Sequence, residues 1–274
     1  MLDLRAVTGT PGAATVLGAT FPTICTNDGA SVAGVPIDPR AVLIGWGGHS
    51  IAANTLGNIK LFSQDMIDPI NGENYVAGAA GIVNQYFKLT NIPYKTGLRG
   101  IQMGTNTGVG AAIGFYMDMY QGGPCVAGSR IMPSQVITGA TTFGGALTTL
   151  VWGSQAYAPT TALPNGKYAI LGAVCTALTN VGLLRFQHAD FGFASPGIPV
   201  ANPTIISTSS WDKVWKDDTL LAQQGYQFVD LSEELGQPCC PVFSASNAGT
   251  GLNIQMLTIA ADTPVVQLYL AKVG

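Results

Sequence analysis

The sequence predicts an all-β protein made of two similar domains in tandem, and three observations support this prediction. First, 35 glycines and 16 prolines are spread through the 274 residues and separate short segments rich in Val, Ile, Thr, Leu and aromatic residues. Such punctuation is typical of short strands joined by turns. Second, strand-like segments fill both halves of the chain, which favours sandwiches or barrels over alternating strands and helices. Third, parts of the first half are echoed in the second.

The predicted strands combine β-branched and aromatic residues with flanking turn residues. They are Ala14–Ile24, Ala41–Trp46, Asn58–Ser63, Val83–Leu89, Gly100–Gly104, Gly110–Met119, Leu147–Trp152, Tyr168–Val174, Gly182–Gln187, Gln227–Leu231, Pro241–Ala245, Leu252–Ile259 and Val265–Ala271.

One segment has the periodicity of a helix instead. Ser209 and Ser210 can cap a helix that ends near Gly225. Its apolar side chains recur at helical spacing: Trp211, Val214, Trp215 and Leu221. We predict one helix near 209–225 that docks on the core of the second domain.

The internal echo consists of two pairs of segments. Residues 41–45 resemble residues 168–172, and residues 57–65 resemble residues 182–190, the latter at an offset of 125 (190 minus 65). The turn at Asn106 resembles the turn at Asn247, at an offset of 141 (247 minus 106). The second half would then carry 16 extra residues (141 minus 125), about the length of the predicted helix. The predicted domains are residues 1–122 and 123–274.

Composition excludes several classes of protein. Charged residues are only 10% of the chain, whereas about 25% is usual, and 47% are hydrophobic. No apolar run approaches the roughly 18 residues of a membrane-spanning helix. With 12 basic and 15 acidic residues and no basic cluster, direct nucleic-acid binding is not expected. The low charge predicts that subunit flanks are buried against neighbouring copies.

Two further features concern the compartment. Residues 1–7 include Asp3 and Arg5 and precede no apolar segment, so no secretory signal is predicted. The five cysteines are an odd number without metal-ligand spacing, and Cys239 and Cys240 are adjacent. We interpret them as small buried hydrophobes.

No pattern in the sequence predicts catalysis or a cofactor. His49-Ser50 follows a glycine-rich stretch but lacks the G-x-S-x-G motif of a nucleophile elbow. His188 and Asp190 lie two residues apart, a spacing that does not make a catalytic triad by itself. The glycine-rich stretch 104–110 lacks the spacing of a phosphate-binding loop, so we interpret it as a tight turn.

A metal site is also left open by the sequence. Asp65, Asp68 and Glu73 lie close together in the sequence, and carboxylates with loop carbonyls can hold calcium. Their spacing does not fit an EF-hand, so a solvated loop is the favoured interpretation.

Two tandem β domains, the low charge and the terminal strand-like segment Val265–Leu270 together resemble the double jelly-roll major capsid proteins of icosahedral viruses of bacteria or archaea. The resemblance covers the full length and rests on architecture, because no diagnostic motif is present. It implies two eight-stranded jelly rolls per chain, trimeric pseudo-hexagonal capsomers, other shell proteins as partners and, in many members, an internal membrane. It also implies synthesis in the host cytoplasm and residence in the virion. Members commonly have a helix in each barrel, whereas only the second half here has a predicted one.

Two other functions remain open from sequence. A carbohydrate-binding or adhesin module would use exposed aromatic platforms, for which Trp46, Tyr120, Trp152 and Tyr157 are candidates. A hydrolase would require His49, Ser50 and His188 to converge from separate strands.

Overall fold

The computed structural model describes residues 1–9, 35–36, 42–50, 57–62, 73–77, 86–93, 98–105, 112–120, 122–128, 131, 136–178, 182–200, 226–258 and 260–274. These residues form two compact units. The first unit takes the described residues within Leu4–Gln121, and the second takes Met1–Asp3 and those from Gly122 onward. The predicted strand Ala14–Ile24 and the predicted helix at 209–225 lie outside the described residues.

Strands β1–β8 belong to the first pair of sheets. They are β1 (Leu2–Gly9), β2 (Val35–Pro36), β3 (Val42–Ser50), β4 (Gly57–Phe62), β5 (Glu73–Ala77), β6 (Tyr86–Pro93), β7 (Leu98–Thr105) and β8 (Ala112–Met119). One sheet has the order β1-β8-β3-β6 and the other has the order β2-β7-β4-β5.

Strands β9–β17 belong to the second pair of sheets. They are β9 (Cys125–Val126), β10 (Val136–Thr142), β11 (Gly153–Ala156), β12 (Gly166–Thr176), β13 (Gly182–Gln187), β14 (Gly197–Val200), β15 (Cys240–Ala245), β16 (Asn253–Thr258) and β17 (Val265–Lys272). One sheet has the order β10-β17-β12-β15-β9 and the other has the order β11-β16-β13-β14.

Both pairs of sheets have the same strand order. If the eight strands of each unit are numbered from its start, with β9 left aside, each has one sheet 1-8-3-6 and one sheet 2-7-4-5. This order is that of a jelly roll, in which two Greek keys form a two-sheet sandwich. The ladders among strands β2–β17 are antiparallel. The prediction of an all-β sandwich fold is confirmed.

Strand alternation positions the core of the second unit. In β17, Val266, Leu268 and Leu270 are fully buried, while Gln267 and Tyr269 between them are half-buried. Side chains two apart on a strand share a face, so β17 turns one apolar face inward. In β13, the residues from Gly182 to Phe186 are all buried, so both faces of this strand are covered.

The first echo joins strands at the same topological positions. Residues 41–45 and 168–172 overlap β3 and β12, the third strands of their units, and residues 57–65 and 182–190 overlap β4 and β13, the fourth strands. The predicted equivalence of Asn106 and Asn247 is wrong. Asn106 stands between the seventh and eighth strands, β7 and β8, whereas Asn247 stands between the sixth and seventh, β15 and β16.

The extra length of the second unit lies between its fifth and sixth strands. Residues 78–85 join β5 to β6, whereas residues 201–239 join β14 to β15. The longer connection contains a helix, α1 (Gln227–Leu235). The predicted strand Gln227–Leu231 is therefore wrong, because Phe228 and Leu231 are buried at helical spacing.

Two contacts fix the ends of α1. Gly236 adopts the left-handed conformation, φ 62°, and ends the helix. At the other end, the Gln227 side-chain amide donates to the Ala173 carbonyl at 2.7 Å and accepts from the Ala173 N–H at 2.9 Å. This pairing satisfies the backbone N–H and C=O of Ala173, which lies beyond Ala169, where the ladder between β12 and β15 ends. The helix therefore covers a strand edge that would otherwise lack partners.

The segment from Leu147 to Trp152 is also corrected. Its sequence predicts a strand, but the strand begins later, at Gly153. Leu150 has a φ of 62°, which a strand does not allow. Leu147 is buried and packs against Gly153, so its apolar side chain belongs to the core without belonging to a strand.

Candidate functional site

A candidate site with several polar contacts lies at the end of β13. His188 follows this strand and precedes a short 3₁₀ helix, Ala189–Phe191. Its Nδ1 accepts a hydrogen bond from the backbone N–H of Asp190 at 3.0 Å. Its ring lies 5.7 Å from the ring of Phe191 and 5.6 Å from that of Phe243. The side chain is only 9% exposed. His188 thus caps the helix and fills an aromatic cluster.

Asp190 faces the neighbouring strand β15. Its Oδ2 accepts from the backbone N–H of Ser244 at 2.8 Å and lies 3.5 Å from Nδ1 of His188. Burial acts to raise the pKa of Asp190, but hydrogen bonds from Ser244, followed by the nearby His188 and Lys167, outweigh it and lower the pKa below its usual value. The carboxylate is therefore held ionised as a structural acceptor.

This geometry does not match a catalytic triad. In a triad, the histidine donates its Nδ1 proton to a carboxylate so that Nε2 can act as the base. Here Nδ1 accepts the backbone N–H of Asp190 instead of donating to a carboxylate. Nε2 lies against Gly251, where an added Cβ would be 3.2 Å away. The site has the contacts of a structural cap.

We therefore expect His188→Ala to lower stability rather than to abolish any activity. Loss of the cap and of the ring contacts should cost about 1–2 kcal/mol in the free energy of unfolding, measured by urea denaturation. His188→Asn keeps an acceptor near the Asp190 N–H and should recover part of the loss. An unchanged midpoint for His188→Ala would show that the cap contributes nothing.

The other residues considered for a hydrolase or a calcium site belong to other elements or lie outside the described residues. His49 and Ser50 are the last residues of β3 in the first unit, whereas His188 follows β13 in the second. Asp65 and Asp68 lie outside the described residues, and Glu73 begins β5. In the part of the chain that the structure describes, no three His, Cys, Asp or Glu side chains are grouped to hold a metal ion.

Four of the five cysteines are described and are free thiols: Cys125, Cys175, Cys239 and Cys240. Burial raises the pKa of the Cys239 thiol to about 12, and it also raises the pKa of Cys175 and Cys240. The thiolate is the reactive form of cysteine. Because Cys175, Cys239 and Cys240 are fully buried and protonated, they behave as small core side chains.

The aromatic residues proposed as sugar platforms have other roles where their side chains are described. Tyr157 is only 3% exposed, so it offers no ring face to a ligand. The guanidinium of Arg185 lies 3.8 Å from the ring centroid of Trp152, and Arg185 Nε donates to Gln255 at 2.7 Å. One face of Trp152 is therefore covered by a cation–π contact. Tyr120 is half-buried.

Several large apolar side chains are exposed instead. Phe193, which follows the 3₁₀ helix, is 66% exposed, and Val151 is 51% exposed. Ile137 and Val273 are each 37% exposed. Among the described residues, α1 is too short to cross a membrane, and no other helix has the necessary length and apolar character.

The strand order defines a protein with two jelly-roll sandwiches. No protein-family model matches the chain, and no curated protein matches its sequence. Among solved structures, it is similar to the cryo-EM structure of the T=1 Penaeus vannamei nodavirus, with 9% identity, a TM-score of 0.25 and coverage of 100% of this chain and 98% of that chain.

Two more solved structures have comparable similarity. The crystal structure of the STIV MCP has 9% identity, a TM-score of 0.24 and coverage of 100% of this chain and 97% of that chain. The CBM22-1-CBM22-2 tandem domain of Paenibacillus barcinonensis Xyn10C has 8% identity, a TM-score of 0.19 and coverage of 99% and 93%. TM-scores this low do not establish a common fold, so the jelly-roll assignment depends on the strand order.

Proposed function

We propose that this chain is a structural subunit of a self-assembling shell, namely a viral major capsid protein of the double jelly-roll type. The observation that supports this proposal is the repeated strand order, one sheet 1-8-3-6 and one sheet 2-7-4-5 in each unit. Jelly rolls are a common architecture of capsid proteins, and also of lectins and cupins. The two domains of the proposal are residues 1–122 and 123–274.

Composition supports assembly. Only 10% of the residues are charged, and Phe193, Val151 and Ile137 expose large apolar side chains. The cores of protein–protein interfaces are depleted in charged residues. A subunit surrounded by copies of itself therefore needs few charges on its flanks. The proposed assembly is a trimer that forms a pseudo-hexagonal capsomer, associates with other shell proteins and resides in the virion, with an internal membrane beneath the shell as a further possibility.

The chemistry of the described residues supports a structural role over an enzymatic one. Nδ1 of His188 accepts a backbone N–H, and the pKa values of the three buried thiols are raised by burial. Neither group is arranged as a nucleophile or general base, because a general base needs a free lone pair within reach of a substrate proton. The proposal therefore includes no catalytic residue and no cofactor.

The test is the assembly state of the purified chain. We expect trimers and larger particles in analytical ultracentrifugation and in negative-stain electron microscopy, because a monomer would expose its apolar flanks to water. A monodisperse monomer at high concentration, in both low and high salt, would contradict the shell proposal. Binding of that monomer to a glycan array would instead support the carbohydrate-binding alternative.

A further inference from the structure

A long part of the second unit has no charged side chain. Between Arg130 and Lys167, the sequence contains no Asp, Glu, Lys, Arg or His. The described portion includes β10, β11 and the segments that flank them, and many of its residues are exposed, among them Val151 and Ile137. A surface exposed to water without charge resembles the centre of a protein–protein interface.

A groove lies within this charge-free region. It has a volume of about 330 Å³ and runs between one side of β10 and the segment from Pro159 to Pro164. Its lining comprises Ile137, Thr138, Gly139, Ala140, Gln267 and the residues from Pro159 to Pro164. None of these residues is charged, so the groove offers no ion pair to a nucleic acid, a lipid headgroup or a charged peptide.

Strand β10 is an edge strand. It pairs with β17 on one side, in unbroken register from Val136 opposite Ala271 to Thr142 opposite Val265. On its other side, no described residue forms a backbone hydrogen bond with residues 137–140. Edge strands are usually protected by Lys, Pro or a bulge, and β10 has none of these. Its free N–H and C=O groups can therefore accept another strand.

The corresponding strand of the first jelly roll is different. Strand β1 is also the first strand of its jelly roll and lies at the edge of its sheet. It contains Asp3 and Arg5, and the Asp3 carboxylate accepts from the backbone N–H of Ser195 at 2.9 Å. Charge and an internal partner thus protect β1. Of these two first strands, β10 is the one whose edge has no such protection.

The wall of the groove is held in place by contacts beneath it. The backbone N–H of Ala158 donates to Thr141 Oγ1 at 3.3 Å. Tyr157 is buried, and its hydroxyl lies where a side chain at Gly139 would point. A side chain at Gly139 would collide with this hydroxyl, so glycine is required for the close approach. The groove is thus already formed before any partner binds.

We infer that this groove docks a second copy of the chain, which adds an extended, uncharged strand to the free edge of β10. The inference rests on the proposed shell function and names one of its contact surfaces. A second copy fits because the site and the chain share the same chemistry: this sequence contains uncharged runs long enough to form a strand, including the one that builds the groove. Docking would also cover Ile137, which is 37% exposed.

A matched pair of substitutions tests the inference. Ala140 lines the groove and is exposed, whereas Ala248 is exposed in the turn between β15 and β16. Ala140→Lys places a charge in the docking site, and a single unpaired charge at an interface can weaken binding by tenfold or more. We expect Ala140→Lys to raise the dissociation constant of the assembly at least tenfold, which shifts sedimentation to smaller species. Ala248→Lys should sediment like the wild type.

Each outcome of this comparison is decisive. If the wild type assembles and Ala140→Lys assembles equally well, the docking inference is wrong and the shell proposal stands. If both variants dissociate alike, the effect is one of added charge in general, and the docking site is also wrong. A monomeric wild type would overturn both proposals.

Hydrogen exchange provides a second readout that does not depend on a variant. Strand addition places β10 amides in new hydrogen bonds, so amides of residues 137–140 should exchange more slowly in the assembled wild type than in dissociated wild type. Side-chain contact without strand pairing would leave the outward amides unprotected. Equal exchange in the two states would therefore contradict the pairing.

Discussion

Phe186→Ala should be among the most destabilising single substitutions in this chain, with a loss of about 3–5 kcal/mol in the free energy of unfolding. Phe186 is fully buried on β13, and its ring lies 6.1 Å from the ring of Phe228 on α1. Truncation would leave a cavity in a strand whose two faces are both covered. Urea denaturation followed by tryptophan fluorescence measures the loss.

The matched control is Phe193→Ala. Phe193 is 66% exposed, so its truncation should change the free energy of unfolding by about 0.5 kcal/mol or less. The Phe186→Ala/Phe228→Ala double mutant adds a test of the strand–helix contact, because a tilted aromatic pair contributes about 0.5–1.5 kcal/mol beyond burial. Equal losses for Phe186→Ala and Phe193→Ala would show that β13 does not lie in the core.

The strands that the sequence predicts best are those with a continuous or alternating apolar pattern. The predicted strand Gly182–Gln187 has the bounds of β13, and Val265–Ala271 differs from β17 by one residue. In both, the apolar residues are bounded by turn residues. Strand β10 was not predicted, because its sequence VITGATT consists mainly of small and hydroxylated residues whose strand conformation depends on pairing with β17.

Two of the strand predictions are wrong for the same reason: their segments are apolar but do not adopt the extended conformation of a strand. The segment Gln227–Leu231 contains Phe228, Val229 and Leu231, but its buried residues follow helical spacing and the helix ends at a left-handed Gly236. The segment Leu147–Trp152 is apolar, but Leu150 has a positive φ. In both segments the backbone conformation of single residues determines the secondary structure, and this conformation cannot be predicted from composition.

The candidate site was predictable only in part. The sequence shows that His188 and Asp190 lack the spacing of a catalytic pair. It does not show the contact of Asp190 with Ser244, because these residues are 54 apart. Strand β1 was equally hard to predict from sequence. Its charged Asp3 interrupts the apolar pattern of a strand, and the partner of Asp3, Ser195, lies 192 residues away. Tyr157 was a candidate for an exposed platform, yet the fold buries it beneath Gly139. Such long-range contacts follow from the jelly-roll topology, which places distant segments side by side.

Asp230 provides the second prediction with a large expected effect, a gain of stability at neutral pH. Asp230 lies on α1, and burial, together with the negative charge of Glu233, raises its pKa to about 7. Because the pKa is higher in the folded chain than in the unfolded chain, the folded state binds the extra proton between these two values. The wild type should therefore lose stability as pH rises from about 4 to 7, and the loss should be complete above pH 7.

Asp230→Asn removes the ionisation and should abolish this loss. A shift of about three pKa units corresponds to roughly 4 kcal/mol, but Asp230 is only half-buried, so solvent screening reduces the expected gain at pH 8 to about 1–2 kcal/mol. At pH 4 the variant and the wild type should be nearly equal, since the carboxyl is then protonated in the folded state. Glu233→Gln, at an exposed position, is the control and should produce a smaller gain, because it removes only the secondary cause. Urea denaturation at pH 4, 6 and 8 measures these differences at one protein concentration. A constant difference between Asp230→Asn and wild type at all three pH values would show that the folded-state pKa of Asp230 is not raised.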